Sequence, residues 1–336
     1  MGLPPAPLLQ LLQRCSRVVL VPHVRPDGDA LGSMLGLTHL LASQGKMVLP
    51  LIQGELPPLY HFLPGSDLAQ AAPESLDRFF AASLGEVAVV ALDCGDASRL
   101  GVYAERLLQH HPLAVIDHHR SNGGFGDICW IEPDRSSTGE MVYDLAMALG
   151  WTITAAAAQC LYTAILTDTG SFRYETTSPH TFAVAGELLA AGVRPEEVAT
   201  RIFDTSSLGR LRLLQLALGT LRLDSDGRVA SIEVSRGMYT VAGANQHDTE
   251  DFVNWPRSLA SVEVSLFCRE VEEEPDTVSV SLRAKGGCDV AAVATRFGGG
   301  GHRNAAGFRQ RNVQLAELRQ RVVEEVAGRL QPLAGN

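Results

Sequence analysis

Short apolar runs alternate with helix-length stretches through the first half of the chain. "RVVLVPH" (17–23), "MVLPLI" (47–52), "EVAVVALDCGD" (86–96) and "LAVIDHH" (113–119) read as strands. Residues 30–45, a stretch near 98–109, and 136–150, 154–170 and 179–192 read as helices. Runs made almost wholly of Val, Leu, Ile and Ala suit strands buried on both faces, and strand–helix alternation delivers such strands to a parallel sheet. The fold class is therefore α/β, with an N-terminal parallel sheet and helices on both faces. The helix at 136–150 carries the signature of a capping box, Ser137-x-x-Glu140, and ends at Gly150.

The pattern changes after Gly192. Residues 195–222 look helical throughout. The strands at 228–236, 262–271 and 277–285 alternate polar and apolar residues, as a one-sided sheet does, with a helix near 248–258. The acidic run Glu272–Glu274 with Pro275 and Asp276 falls where a hairpin turn belongs. This predicts a first domain over 1–192, a helical linker over 193–222, and a smaller α+β domain over 223–336.

Composition narrows the function classes. The chain has 336 residues, 46% of them apolar, and a net charge of −10. A protein that grips long nucleic acid through its phosphates needs a positive surface, so a nucleotide substrate here is small or held locally. The six cysteines include no C-x-x-C pair, which fits a reducing compartment. The apolar N-terminus has no basic leader region, and no uncharged apolar run reaches membrane-spanning length. The expectation is a soluble, cytoplasmic protein without membrane association. Trp130, Trp151 and Trp255 read as packing residues.

The strand ends carry the chemistry. The first runs into His23, Asp27 and Asp29, the next motif-bearing one into Asp93, and another into Asp117, His118 and His119. A helix ends at Asp168. In a parallel α/β sheet the strand carboxyl ends share one rim, where ligand crevices form. Taken singly, each Asp is ordinary turn or N-cap chemistry. Together they crowd carboxylates around one crevice, which repulsion and desolvation oppose and cations relieve. Two divalent metal ions are the natural occupants, and mixed carboxylate–imidazole ligation suits Mn(II), with Mg(II), Co(II) or Fe(II) as alternatives. Cys94 adjoins Asp93 but points to the opposite side of the sheet.

The second domain has its own signal in "FGGGGHRNAAGF" (297–308). Gly299, Gly300 and Gly301 belong to a run that lets backbone approach a ligand and aim N–H groups at an anion. His302, Arg303 and Asn304 follow, and residues 283–311 hold six basic residues and one acid. Arg99 is read either as a phosphate contact from a rim helix or as a solvated helix arginine. Ser136–Thr138 are read either as substrate contacts or as cap residues, and the cap accounts for them adequately.

These motifs resemble the DHH phosphoesterase family with its associated C-terminal domain: H-x-x-x-D-x-D at 23–29, Asp93, Asp-His-His at 117–119, T-D-T-G at 167–170 and the GGGGH run. Length and layout are most similar to the oligoribonuclease/PAP phosphatase (NrnA-like) branch. The resemblance implies that His23, Asp27 and Asp93 hold one ion, and Asp29, Asp93, His118 and Asp168 the other. It implies that His119 faces the scissile phosphate while Asp117 orients a histidine. Arg283, His302, Arg303 and Asn304 would grip a substrate phosphate or terminal nucleotide. The implied substrates are short RNA oligonucleotides, cut to mononucleotides, and small phosphorylated nucleotides such as 3′-phosphoadenosine-5′-phosphate. The resemblance also suggests a homodimer through the first domain. Competing readings are a cyclic-dinucleotide (c-di-AMP/pApA) phosphodiesterase, a RecJ-type single-strand exonuclease, and a non-catalytic nucleotide-binding regulator.

Overall fold

The computed structural model describes residues 2–82 and 85–330. The chain divides between Thr205 and Ser206 into two compact units.

In the first unit, α1 (Ala6–Arg14) leads into β1 (Arg17–Pro22), α2 (Gly28–Ser43), β2 (Met47–Pro50) and α3 (Pro73–Ala81). Then follow β3 (Val87–Leu92), a 3-10 stretch (Ala97–Tyr103), α4 (Ala104–Leu108), β4 (Leu113–Asp117) and β5 (Ile128–Ile131). Four helices complete the unit: α5 (Thr138–Ala148), α6 (Ala155–Asp168), α7 (Pro179–Ala190) and α8 (Pro195–Phe203). The strands pair in the order β2-β1-β3-β4-β5, all parallel.

Strict alternation sorts the central strands between two cores. Val18, Leu20, Val90, Leu92 and Ile116 face α1, α2 and the helices from α5 onward. Val19, Val21, Val89, Ala91 and Val115 face Leu76 of α3 and Leu100, Tyr103 and Leu107. Cys94 lies with this second group, on the side expected of it. Helices thus cover both faces. Three elements of this unit, α1, α3 and β5, were not anticipated. The apolar N-terminus forms α1, whose Leu8, Leu11 and Leu12 are fully buried on one face; each buried leucine stabilises the fold by roughly 1.5–3 kcal/mol. The four residues of β5 are too few to show a period of their own.

The second unit contains α9 (Leu208–Leu218), β6 (Arg222–Asp224), β7 (Val229–Val234), α10 (Arg236–Ala242) and α11 (Asn254–Arg257). It continues with β8 (Val264–Glu270), β9 (Thr277–Ala284), α12 (Val290–Arg296), β10 (Gly300–His302), β11 (Ala305–Arg311) and α13 (Leu315–Ala327). The sheet order is β10-β11-β9-β8-β7-β6, antiparallel except for the β7–β8 pair. The stretch 193–222 is helical in two pieces, α8 in the first unit and α9 in the second, with Asp204–Ser207 outside both. In β9, Val278, Val280, Leu282 and Ala284 join the core beneath α12 and α13, as alternation predicts. In β8 both faces are buried, because Phe267 packs beneath α9 and α10. Trp130 and Trp151 pack in the first core. Trp255 departs from its expected packing role: it is 51% exposed on α11, while its neighbours Val253 and Pro256 take the buried positions.

Candidate metal centre and glycine-rich segment

Register assembles the site. Pro22 of β1 pairs with Leu92 of β3, and Leu92 with Ile116 of β4. The next residues in each strand line are His23, Asp93 and Asp117, which therefore emerge side by side at the carboxyl edge. Asp93 takes a left-handed backbone (φ 54°), a conformation unfavourable for a side-chain-bearing residue and tolerated where surroundings over-determine it. Its N–H still donates to Ile116 O.

The Asp93 carboxylate stands at the centre. Oδ2 lies 3.7 Å from His23 Nε2. Oδ1 lies 3.6 Å from His118 Nε2 and 3.5 Å from His119 Nδ1, and accepts from Thr138 Oγ1 at 3.1 Å. His118 Nε2 also faces Asp168 Oδ2 at 3.3 Å and Asp29 Oδ2 at 3.6 Å. His23 Nε2 lies 3.7 Å from Asp27 Oδ2. Asp27 caps α2 by accepting from Ala30 N–H, so the turn-chemistry reading of this residue is also correct.

The remaining nitrogens are tied to acceptors. His23 Nδ1 donates to Val24 O and His118 Nδ1 to Arg135 O. A carbonyl only accepts, so each Nδ1 carries a proton and Nε2 is the nitrogen that faces the carboxylates. His119 Nδ1 donates to Asp117 Oδ1 at 2.7 Å. Asp117 is fully buried and also accepts from Asn122 Nδ2 at 2.6 Å.

Three sets of donor atoms lie within 4.8 Å of one another: His23–Asp27–Asp93, Asp29–His118–Asp168 and Asp93–His118–His119. The first ion's expected ligands form one set. Those of the second are distributed over the other two. The electrostatics fit cations. Burial, reinforced by the charges of Asp93, Asp168 and Asp27, holds the Asp29 carboxyl well above the usual range against the hydrogen bond from Thr138 N–H. Burial and Asp27 likewise raise Asp93, despite the opposing histidines. Asp168 keeps 33% of its side chain open, yet the protein crowded around it, with Asp93 and Asp27, pushes it up to about 7. Carboxylates that resist ionising together, interleaved with imidazole nitrogens, form a donor set suited to divalent ions. His119 behaves differently. Burial works against its protonation, but the Asp117 hydrogen bond and the charges of Asp93, Asp117 and Asp168 outweigh it and push it up to about 9.

Helix packing places the ligands that no strand carries. Gly28, Gly32 and Gly36 let α2 lie directly on α6; a Cβ on Gly32 would sit 2.5 Å from Cys160 O. This approach brings Asp29, in the first turn of α2, and Asp168, at the end of α6, to the same point. The amino end of α5 completes the cradle. Thr138 N–H donates to Asp29 Oδ2 at 2.7 Å and Gly139 N–H to Asp29 Oδ1 at 2.9 Å. Ser33 Oγ donates to the same Oδ1. Residues 136–138 therefore do more than cap, and neither they nor Asn122 were singled out for these contacts. The expected capping box is only half formed. Ser137 Oγ accepts from Glu140 N–H, but the Glu140 carboxylate takes hydrogen bonds from Arg135, Ser136 and Thr181 instead. Arg99 lies beside the His23–Asp27 turn, its carbonyl accepting from Val24 N–H at 2.8 Å.

In the second unit the glycine-rich run forms a hairpin. Gly300 and His302 lie on edge strand β10, Arg303 and Asn304 form the turn, and Ala305 opens β11. His302 stands opposite Ala305, and Ala305 opposite Arg283 of β9, so the backbones of the three share one row. The side chain of His302 is outside what is described. The glycines have different duties. A Cβ on Gly299 or Gly301 would strike β11, and Gly301 has φ 143°, whereas Gly300 faces open space. Two are thus required by strand packing and one leaves room for a ligand. Arg303 and Asn304 are exposed, and their carbonyls accept from Val290 N–H and Ala284 N–H.

Comparison with known proteins agrees with this layout. The profile of the DHH family, N-terminal domain, matches residues 17–165, and that of the DHHA1 domain matches 235–330. The bifunctional oligoribonuclease and PAP phosphatase NrnA of Thermus thermophilus is 35% identical over 311 residues, 92% of this chain and 89% of that protein. The Bacillus subtilis protein of the same name is 27% identical over 89% of this chain and 91% of its own length. The crystal structure of an exopolyphosphatase-related protein from Bacteroides fragilis matches with a TM-score of 0.89 at 29% identity, covering 96% of this chain and 95% of that one. No helix among the described residues is long and apolar enough to cross a membrane. With two family domains along its length and a 35% identical relative spanning most of it, the chain belongs to the DHH family of metal-dependent phosphoesterases.

Proposed function

We propose that this enzyme hydrolyses very short RNA oligonucleotides to mononucleotides and removes the 3′-phosphate of 3′-phosphoadenosine-5′-phosphate. The observation that carries this reading is the Asp93 carboxylate, one oxygen toward His23 and the other toward His118, which also faces Asp168: a two-sided donor set within a fold whose 35% identical relative is named for both activities. His23, Asp27 and Asp93 would hold one ion, and Asp29, Asp93, His118 and Asp168 the other, with Asp93 offering an oxygen to each. Mn(II) suits this mixture of carboxylate and imidazole. When bound, the two ions supply charge neutralisation for the phosphoryl oxygens and lower the pKa of water.

The chain's own residues do the rest. Asp117 holds His119 by Nδ1 and fixes its ring, leaving Nε2 to meet the phosphoryl group and stabilise negative charge growing on it. Asn122 fixes Asp117 in turn. In the second unit, Arg283 and the β10–β11 hairpin with Gly300, Gly301, His302, Arg303 and Asn304 form the substrate-binding segment, taking the phosphate at one end of a short substrate. Gly299 supports that hairpin through its packing on β11. Arg99 takes a phosphate at the metal rim.

The test is product analysis with Mn(II). The purified protein is offered pApA, a five-nucleotide RNA, 3′-phosphoadenosine-5′-phosphate and c-di-AMP in parallel, beside an Asp117→Ala/His118→Ala control. Mononucleotide release from the RNAs and AMP from the phosphatase substrate, with c-di-AMP slow, is the expected result. Preferential opening of c-di-AMP would overturn the substrate assignment.

A further inference from the structure

A second cluster of ionisable groups, Glu140, Asp144 and His180, lies behind the metal centre, with donor atoms within 4.8 Å of one another. It resembles a third cation site in composition. A cation of the protein's own stands in it: Arg135, whose side chain is only 7% exposed, directs Nη1 to Glu140 Oε1 at 3.1 Å and Nη2 to Asp144 Oδ2 at 2.7 Å. His180 Nε2 lies 2.9 Å from Asp144 Oδ1, and Thr181 Oγ1 donates to Glu140 Oε2 at 2.8 Å. Both of these residues come from the first turn of α7, a helix that supplies no expected ligand.

The backbone beside this network touches the ligands directly. The Arg135 carbonyl accepts from His118 Nδ1. Three residues on, the N–H groups of Thr138 and Gly139 grip both oxygens of Asp29, and Thr138 Oγ1 donates to Asp93. Residues 135–140 thus hold three expected ligands from one short segment. The side chains of that segment's two ends, Arg135 and Glu140, are locked to each other, and Arg135 also to Asp144.

We propose that Arg135, Glu140, Asp144 and His180 form a positioning network that sets the tautomer of His118 and the orientation of Asp29, with the Arg135 guanidinium in place of a third metal ion. The network touches no substrate. It acts by holding the segment whose carbonyl forces Nδ1–H on His118, and whose N–H groups aim the Asp29 oxygens. Loss of outer partners of metal ligands lowers affinity on the order of 10–100-fold.

This inference rests on the metal-centre reading, and the experiment separates the two. Chelator-treated protein is titrated with Mn(II) by calorimetry, comparing wild type with Arg135→Lys, Arg135→Met/Glu140→Gln and His180→Asn, alongside melting curves. The double variant removes one charge of each sign and leaves Asp144 with His180 as its remaining partner. Two ions in the wild type are expected, with affinity for one falling by about 10–100-fold in the double variant. Arg135→Lys and His180→Asn, which keep charge or polarity, should stay closer to wild type. If the variants melt lower but bind Mn(II) with wild-type affinity, the network is structural only and the proposal fails. A third ion in wild type that is lost in the double variant would overturn the assignment of Arg135. No Mn(II) binding by wild type would overturn the metal centre and this proposal with it.

Discussion

The rim of the first unit and the hairpin of the second reach their geometry by opposite routes. The rim gathers His23, Asp93, His118 and Asp168 from segments far apart in the chain, and each is placed by register or helix packing. The hairpin draws Gly300 through Asn304 from one contiguous run, placed by local pairing with β11. A site built from distant segments depends on the whole unit's packing. A site built from one run depends on a few backbone conformations.

The strongest challenge to that contrast is Asp93→Asn. Asp93 belongs to two of the donor sets, so turnover should vanish while calorimetry still detects 3′-phosphoadenosine-5′-phosphate binding through the second unit. Activity within tenfold of wild type would break the comparison. In the hairpin, Gly301→Ala should lower stability by roughly 1–3 kcal/mol, because a side chain is strained at that φ and meets Ala305 and Ala306. Gly300→Ala meets nothing, so its melting temperature should hold while KM rises; thermal melts beside initial rates decide between them.

A third substitution lies away from every ligand. Gly32→Val overpacks the contact of α2 with α6 and should destabilise by about 1–3 kcal/mol. It should also weaken Mn(II) binding, since Asp29 and Asp168 ride on those helices. Unchanged Mn(II) affinity at lowered stability would show that the rim tolerates helix displacement.

The smallest effect is graded by pH. In the metal-free protein Asp168 titrates at about 7, so below that pH an entering ion must displace a proton. Apparent Mn(II) affinity should fall as pH drops below 7, by up to about tenfold per unit. Titrations between pH 5.5 and 8 test the sign.

The ligand chemistry was legible because residue type is a local property. Carboxylates and imidazoles at the ends of apolar runs announce a rim wherever those runs pair. The supports were not legible. Asn122 is an ordinary turn residue until its amide meets Asp117. Glu140 carries a capping signature, yet its carboxylate has stronger partners in Arg135 and Thr181 once α7 is docked. Trp255 reads as packing because aromatic residues usually pack, and only the placement of α11 leaves it half in solvent.

By itself the sequence determined the strand–helix alternation of the first half, the α+β character of the second and the presence of a glycine-rich run followed by His302, Arg303 and Asn304. Each follows from side-chain patterns repeating over a few residues. Tertiary structure alone decided which carboxylate faces which imidazole, that the amino end of α5 holds Asp29, and that Arg135 fills a cluster otherwise shaped for an ion. The reason is physical: hydrogen-bond and charge partners are chosen by distance in space, and the packing of α2 on α6 and the alignment of β1, β3 and β4 bring together groups the chain holds far apart.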